Sequence, residues 1–156
     1  MMSALIVLLI QAATLLPGEE PVKPYAMSNS NAGASPTTDK DLFGAFEGKV
    51  GIERMVGGFV TRLTADPRIA DTFKGHDMTR LRRTLGEQFC HLLGGGCSYT
   101  GRTMRDAHKD MGLQNADMNA LVENLQAEMR AKKVPFWAQN RFLAKLAPMR
   151  RNVVER

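Results

Sequence analysis

The chemistry this chain could carry centres on His108, one of only three histidines in 156 residues. It lies in the run Gly-Arg-Thr-Met-Arg-Asp-Ala-His-Lys-Asp-Met-Gly-Leu over 101–113, a short helical stretch bracketed by Gly101 and Gly112. Neutral imidazole is the commonest metal ligand among side chains and the usual proximal ligand of haem iron. A lone histidine is otherwise a surface or a satisfied core residue, so the neighbourhood decides. Met104 lies four residues before it and Met111 three after, which on a helix sets soft, apolar side chains beside the imidazole. Such flanks suit a flat apolar ligand and make His108 a candidate axial ligand.

A site of this kind must be held by helices. Ile52, Met55, Val56, Phe59, Val60 and Leu63 recur at helical spacing and form one apolar face. Asp66-Pro67 ends that helix, and a short helical turn spans 68–73. Met78, Leu81, Leu85, Phe89 and Leu92 mark a second amphipathic helix, stopped by Gly94-Gly95-Gly96. Beyond His108, Asn115 is the expected N-cap of a helix to Lys132 with Met118, Leu121, Val122, Leu125 and Met129 inward. Pro135 opens the last helix, which runs towards Val153 with a kink at Pro148. No alternating pattern competes, so the fold class is all-α.

Composition bounds the rest. With 44% hydrophobic and 24% charged residues the chain builds one ordinary globular core plus an extension. The net charge of +5 reads as a solvated surface, because no aromatic or glycine-rich recognition motif accompanies it; no nucleic-acid partner is expected. Residues 4–16 are uncharged and apolar, and Pro17-Gly18 closes them. At ~1.5 Å per residue such a helix is about 20 Å long, short of a ~30 Å hydrocarbon core, so the run fits the apolar region of a signal peptide and leaves no stable membrane span. The expected division is a signal peptide over 1–17, a disordered linker over 18–40 with no periodicity, and a folded domain over 41–156. An exported protein, periplasmic or secreted, follows; a leader that does not function would leave it cytoplasmic. Cys90 and Cys97 flank the triple glycine, a flexible turn that can bring them together as a disulfide; free buried thiols are the alternative in a reducing compartment.

The segment Leu93-Gly94-Gly95, Tyr99-Thr100-Gly101, Met104, His108, Gly112-Leu113 resembles the proximal region of group I truncated haemoglobins. The likeness covers about 42–153, including the glycines Gly48 and Gly51 before the first core helix and Phe73 in a short helix. Glu47-Gly48 stands where that family usually has two adjacent glycines. The resemblance implies a two-over-two helical sandwich around haem b, with iron held by His108. It implies cofactor contacts from Phe73, Met78, Leu81, Thr84, Leu85, Gln88 and Phe89 on one side, and from Met104, Met111, Leu113, Met118 and Leu121 on the other. Val60, Leu81, Leu85 and Gln88 are then the distal ligand pocket.

Many members carry tyrosine where Val60 stands and glutamine where Leu85 stands, and both donors are absent here. Gln88 could substitute, unless its amide is solvated or bonded to backbone. Arg80, Arg82 and Arg83, with Thr84, could meet the haem propionates or be solvated helix charges. His76 is expected at a helix start, and His91 at a surface or helix end. The function implied is reversible binding of a diatomic gas, O₂, CO or NO, with no catalytic residue assigned and an unidentified reductase as the partner redox cycling would need. The alternatives are an NO dioxygenase or peroxidase-type haem enzyme, and a haem-free helical interaction module.

Overall fold

The computed structural model describes residues 14–155. The expected leader therefore lies largely outside the described residues. Among those described, every regular element is helical. A short helix α1 (Leu42–Ala45) turns into the long α2 (Gly48–Ala65) through Glu47 and Gly48, both left-handed at φ 60° and 65°. This turn explains the glycine preference at the position, and Glu47 adopts a conformation that costs a residue with a side chain.

A turn of 3₁₀ helix (Ala70–Phe73) leads to α3 (Met78–Leu92), whose first turn is capped by Asp77 accepting from the Arg80 N–H at 2.9 Å. Next come α4 (Met104–His108), α5 (Asn115–Ala131) and α6 (Phe136–Leu146). Pro148 sits in a 3₁₀ turn (Ala147–Met149) that separates α6 from α7 (Arg150–Val153). The expected kink is thus a change of helix type. The α5 cap is Gln114 rather than Asn115, because Asn115 Oδ1 accepts from Arg150 Nη1 at 2.9 Å.

The central helix is α2, packed on α3 along one side and α5 along another. At the α5 crossing a side chain on Gly58 would come within 2.0 Å of Glu128 Oε1, so glycine is what lets the buried Glu128 reach Arg62 Nε at 2.6 Å. Four phenylalanines tie the elements together: Phe89 lies 4.8 Å from Phe142 and 6.3 Å from Phe59, and Phe142 lies 5.3 Å from Phe46. Cys90 and Cys97 form a disulfide across the glycine turn, and His91 is buried beside it with Nδ1 3.2 Å from the Cys97 carbonyl oxygen. His91 lies in the last turn of α3, the helix end expected for it, and only the surface alternative is corrected: that hydrogen bond lets the ring leave water.

The largest difference concerns residues 18–40, expected to be a disordered linker. They lie as an arm alongside α3, in the same direction, and include a 3₁₀ turn (Asn29–Ala32) with Ala32 fully buried. Glu20 N–H donates to Asp77, Gln88 to the Ala32 carbonyl at 2.9 Å, and Thr37 N–H to Leu92 at 2.9 Å. The arm is ordered by backbone groups meeting side chains of α3, not by an apolar period of its own.

Candidate functional site

His108 ends α4, a five-residue helix started by Thr103, whose hydroxyl accepts from the Asp106 N–H at 3.1 Å. Its Nδ1 lies 2.7 Å from the Met104 carbonyl oxygen. A carbonyl can only accept, so Nδ1 carries the proton and Nε2 is left with the lone pair. Burial pushes the His108 pKa below that of free imidazole, against the opposing pull of the Met104 carbonyl, so the ring is neutral at neutral pH. A neutral, oriented imidazole with its Nε2 lone pair free is the state a metal ligand requires.

His108 lines a cavity of about 440 Å³ between α3, α4, α5 and the arm. Phe73, Leu81, Thr84, Leu85 and Gln88 contribute from one side, and Met104, Met111, Leu113, Met118 and Leu121 from the other, as the sequence suggests. Three expected residues are not on its wall. Phe89 belongs to the aromatic core, Met78 packs against the core at the start of α3, and Val60 is fully buried on α2. Each occupies a helix face turned to protein rather than to the cavity.

Other wall residues were not foreseen. His76 stands directly before Asp77, the α3 cap, at a helix start as expected, and it also lines the cavity. Ile69 and Thr72 join it from the region before α3, Tyr99 and Arg102 from the loop before α4, and Glu20, Pro21, Val22 and Tyr25 from the arm. Loop and arm residues carry no periodicity, so only the backbone path reveals them.

The wall is richer in polar residues than in free donors. Tyr25 donates its hydroxyl to the Thr100 carbonyl at 2.6 Å, Tyr99 to the Arg102 carbonyl at 2.9 Å, and Thr84 to the Arg80 carbonyl at 2.9 Å. Gln88 donates to the Ala32 carbonyl, and its Nε2 also meets the Met104 and Met149 sulfurs at 3.3 and 3.7 Å. These hydrogens are already bound to protein. Arg80 differs: its Nη2 donates to the Glu20 carbonyl at 3.1 Å, while its buried Nε has no partner among the described residues. Of the other two arginines, both off the wall, Arg82 is exposed, and Arg83 is paired with Glu19, Glu87 and Thr100, although its buried Nη2 also has no partner among the described residues.

A porphyrin fits this arrangement. The volume is in the range of small-molecule and cofactor sites, the walls are apolar, one neutral imidazole stands ready, and the orphaned Arg80 Nε offers an anion a donor.

Comparisons with known proteins agree with the geometry. The family profile described as bacterial-like globin matches residues 41–155. A group 1 truncated hemoglobin of Tetrahymena thermophila is 33% identical over 89 residues, covering 57% of this chain and 74% of that protein. One from Mycolicibacterium paratuberculosis is 29% identical over 116 residues, covering 74% of this chain and 83% of its own. The crystal structure of truncated hemoglobin from Tetrahymena pyriformis, Fe(III) form, superposes with a TM-score of 0.71 at 28% identity, over 74% of this chain and 98% of that one.

Proposed function

This chain belongs to the bacterial-like globin family, as a relative of group 1 truncated hemoglobins, and from that premise we propose that it is a haem protein binding a diatomic gas through His108 and a cavity on whose wall Leu81, Leu85 and Gln88 of α3 offer no free donor. The observation that carries the proposal is the 2.7 Å bond from His108 Nδ1 to the Met104 carbonyl, which fixes the tautomer that can ligate iron from a cavity wall. Met104, Met111, Met118 and Leu121 would pack against the porphyrin, and Arg80 would meet its propionates. Bound haem iron supplies reversible coordination of O₂, CO or NO. We propose non-covalent haem b, because both cysteines are joined to each other and none remains for a thioether link.

Leu81 and Leu85 donate nothing to a gas in this cavity, and the Gln88 amide is bonded to the arm. A donor aimed at a bound, partly negative dioxygen is worth roughly 1 to 3 kcal/mol. The protein therefore releases O₂ faster than members of its family that carry distal polar groups. The same lack of donors argues against NO dioxygenase or peroxidase chemistry, which needs charge stabilised at the bound ligand. The test is a hemin titration followed by reduction and CO addition: stoichiometric uptake and a CO-shifted Soret band are expected, and a polypeptide that stays colourless would leave the haem-free interaction module as the better reading.

An exported location is part of the proposal. It is supported by the Cys90–Cys97 disulfide, which persists in oxidising compartments. Cell fractionation with mass measurement of the mature N-terminus tests it; recovery of the full-length chain from cytoplasm alone would refute it.

A further inference from the structure

The arm that precedes the globin region bears on the cavity in a way that the family relationship, matched from residue 41 onward, does not cover. Glu20, Pro21, Val22 and Tyr25 all lie on the cavity wall, so the wall is incomplete without them. Val22 is an apolar side chain left 37% exposed on that wall, and the Tyr25 ring is held there by its bond to Thr100 and by the Arg102 guanidinium 5.3 Å from its centroid.

What holds this segment down is a largely buried ion pair, in which the Arg83 side chain is 10% exposed. The Glu19 side chain is 0% exposed and accepts from Arg83 Nε at 2.7 Å, while the Leu16 N–H donates to its other oxygen at 2.7 Å. Burial raises the Glu19 pKa, but the Leu16 and Arg83 hydrogen bonds and the Arg83 charge outweigh it and hold the carboxyl below its ordinary range. Three residues before Arg83 on α3, and so on the same helix face, the Arg80 side chain donates to the Glu20 carbonyl, so one face carries both the arm's anchor and the cavity's unpartnered guanidinium nitrogen.

Resting on the haem reading above, we propose that residues 19–25 are part of the cofactor site: Val22 and Tyr25 are contact residues for the porphyrin edge, and Glu19 is a positioning residue that acts through Arg83. The arm then governs how fast the cofactor is lost, since the porphyrin leaves only when this wall lifts. Removing Glu19 does not strand the Arg83 charge, because Glu87 and Thr100 still accept from it at 2.9 and 2.6 Å. The globin core therefore stays folded while the arm is loosened.

The experiment uses the full chain loaded with hemin, in two readouts. The first is the rate at which hemin transfers to excess apomyoglobin. Glu19→Ala and Tyr25→Ala are each expected to raise that rate about tenfold or more, a size appropriate to a lost charged hydrogen bond or a lost aromatic contact. The second is chymotryptic cleavage after Tyr25, which hemin uptake should slow in the unsubstituted chain and slow far less in Glu19→Ala. Transfer rates within twofold of the parent and a cleavage rate indifferent to hemin would overturn the inference while leaving the haem reading intact. A lowered urea midpoint of the apoprotein with unchanged transfer would likewise overturn it, by making Glu19 a structural anchor alone. Failure of the parent chain to take up hemin would overturn the haem reading, and this inference with it.

Discussion

At the scale of single residues, the cavity is defined by which hydrogens are already spent. Gln88 is the instructive case, since its position on α3 makes it a distal donor by spacing, yet its amide is bonded to the Ala32 carbonyl of the arm. Gln88→Leu should therefore leave O₂ dissociation within about twofold of the parent, whereas Leu85→Gln, which places a new amide on the wall, should slow it by about 5 to 150 fold. Stopped-flow O₂ dissociation reads both. The place of His108 on the cavity wall was legible in the sequence because Met104, Met111 and the bracketing glycines single it out. Phe89 and Val60 were placed at the site by the family resemblance, and a family position does not tell an aromatic core from a cofactor wall. Nothing around His76 in the sequence signalled its place on the wall, because a loop's path sets it.

At the scale of elements, the helices followed from apolar spacing, and α3 matched its expected span because Asp77 and the triple glycine mark both ends. The fastening of its C-terminal end was legible as well, in the two cysteines that flank the triple glycine. The Cys90–Cys97 disulfide closes a loop at the end of α3, and His91 is buried against it. Replacing both cysteines by serine should cost about 2 to 3 kcal/mol, the loop-entropy value for a ring of this size, read as a lower urea midpoint under non-reducing conditions.

A second fastening joins α2 to α5. Asp66, just past the end of α2, accepts from Arg68 and from Asn124 of α5 at 2.8 and 2.7 Å, and these bonds, the Arg68 guanidinium first, hold its carboxyl well below the ordinary range. Between the folded and unfolded pKa values the unfolded chain binds the extra proton, so this contribution is complete above the unfolded value of about 4 and fades as pH falls below it. The urea midpoint of the parent should drop between pH 5 and pH 3, and Asp66→Asn should lose less over the same interval. An equal loss in both would show that Asp66 does not contribute to acid sensitivity.

At the scale of the whole molecule, one chain segment changes the reading most. Composition marks 18–40 as unstructured, because it is rich in Pro, Ser, Asn and Gly and lacks an apolar period. Its order comes from elsewhere: its own carbonyls and one carboxylate meet Arg80, Arg83, Gln88 and Lys145 of the folded region. Composition describes a segment alone and is blind to partners supplied by distant residues. The helices were within reach of the sequence through their periodic faces, and their arrangement as a sandwich around a cavity through the resemblance to truncated haemoglobins. The arm as a wall of that cavity was not.

The central claim is that one oriented imidazole holds the iron. Its most direct test is the ferrous absorption and resonance Raman spectrum of the hemin-loaded chain beside that of His108→Gly, with and without added imidazole. The account predicts an iron–histidine stretch in the parent, its loss in the variant, and its return when imidazole is supplied. A band that persists unchanged in His108→Gly without imidazole would contradict it.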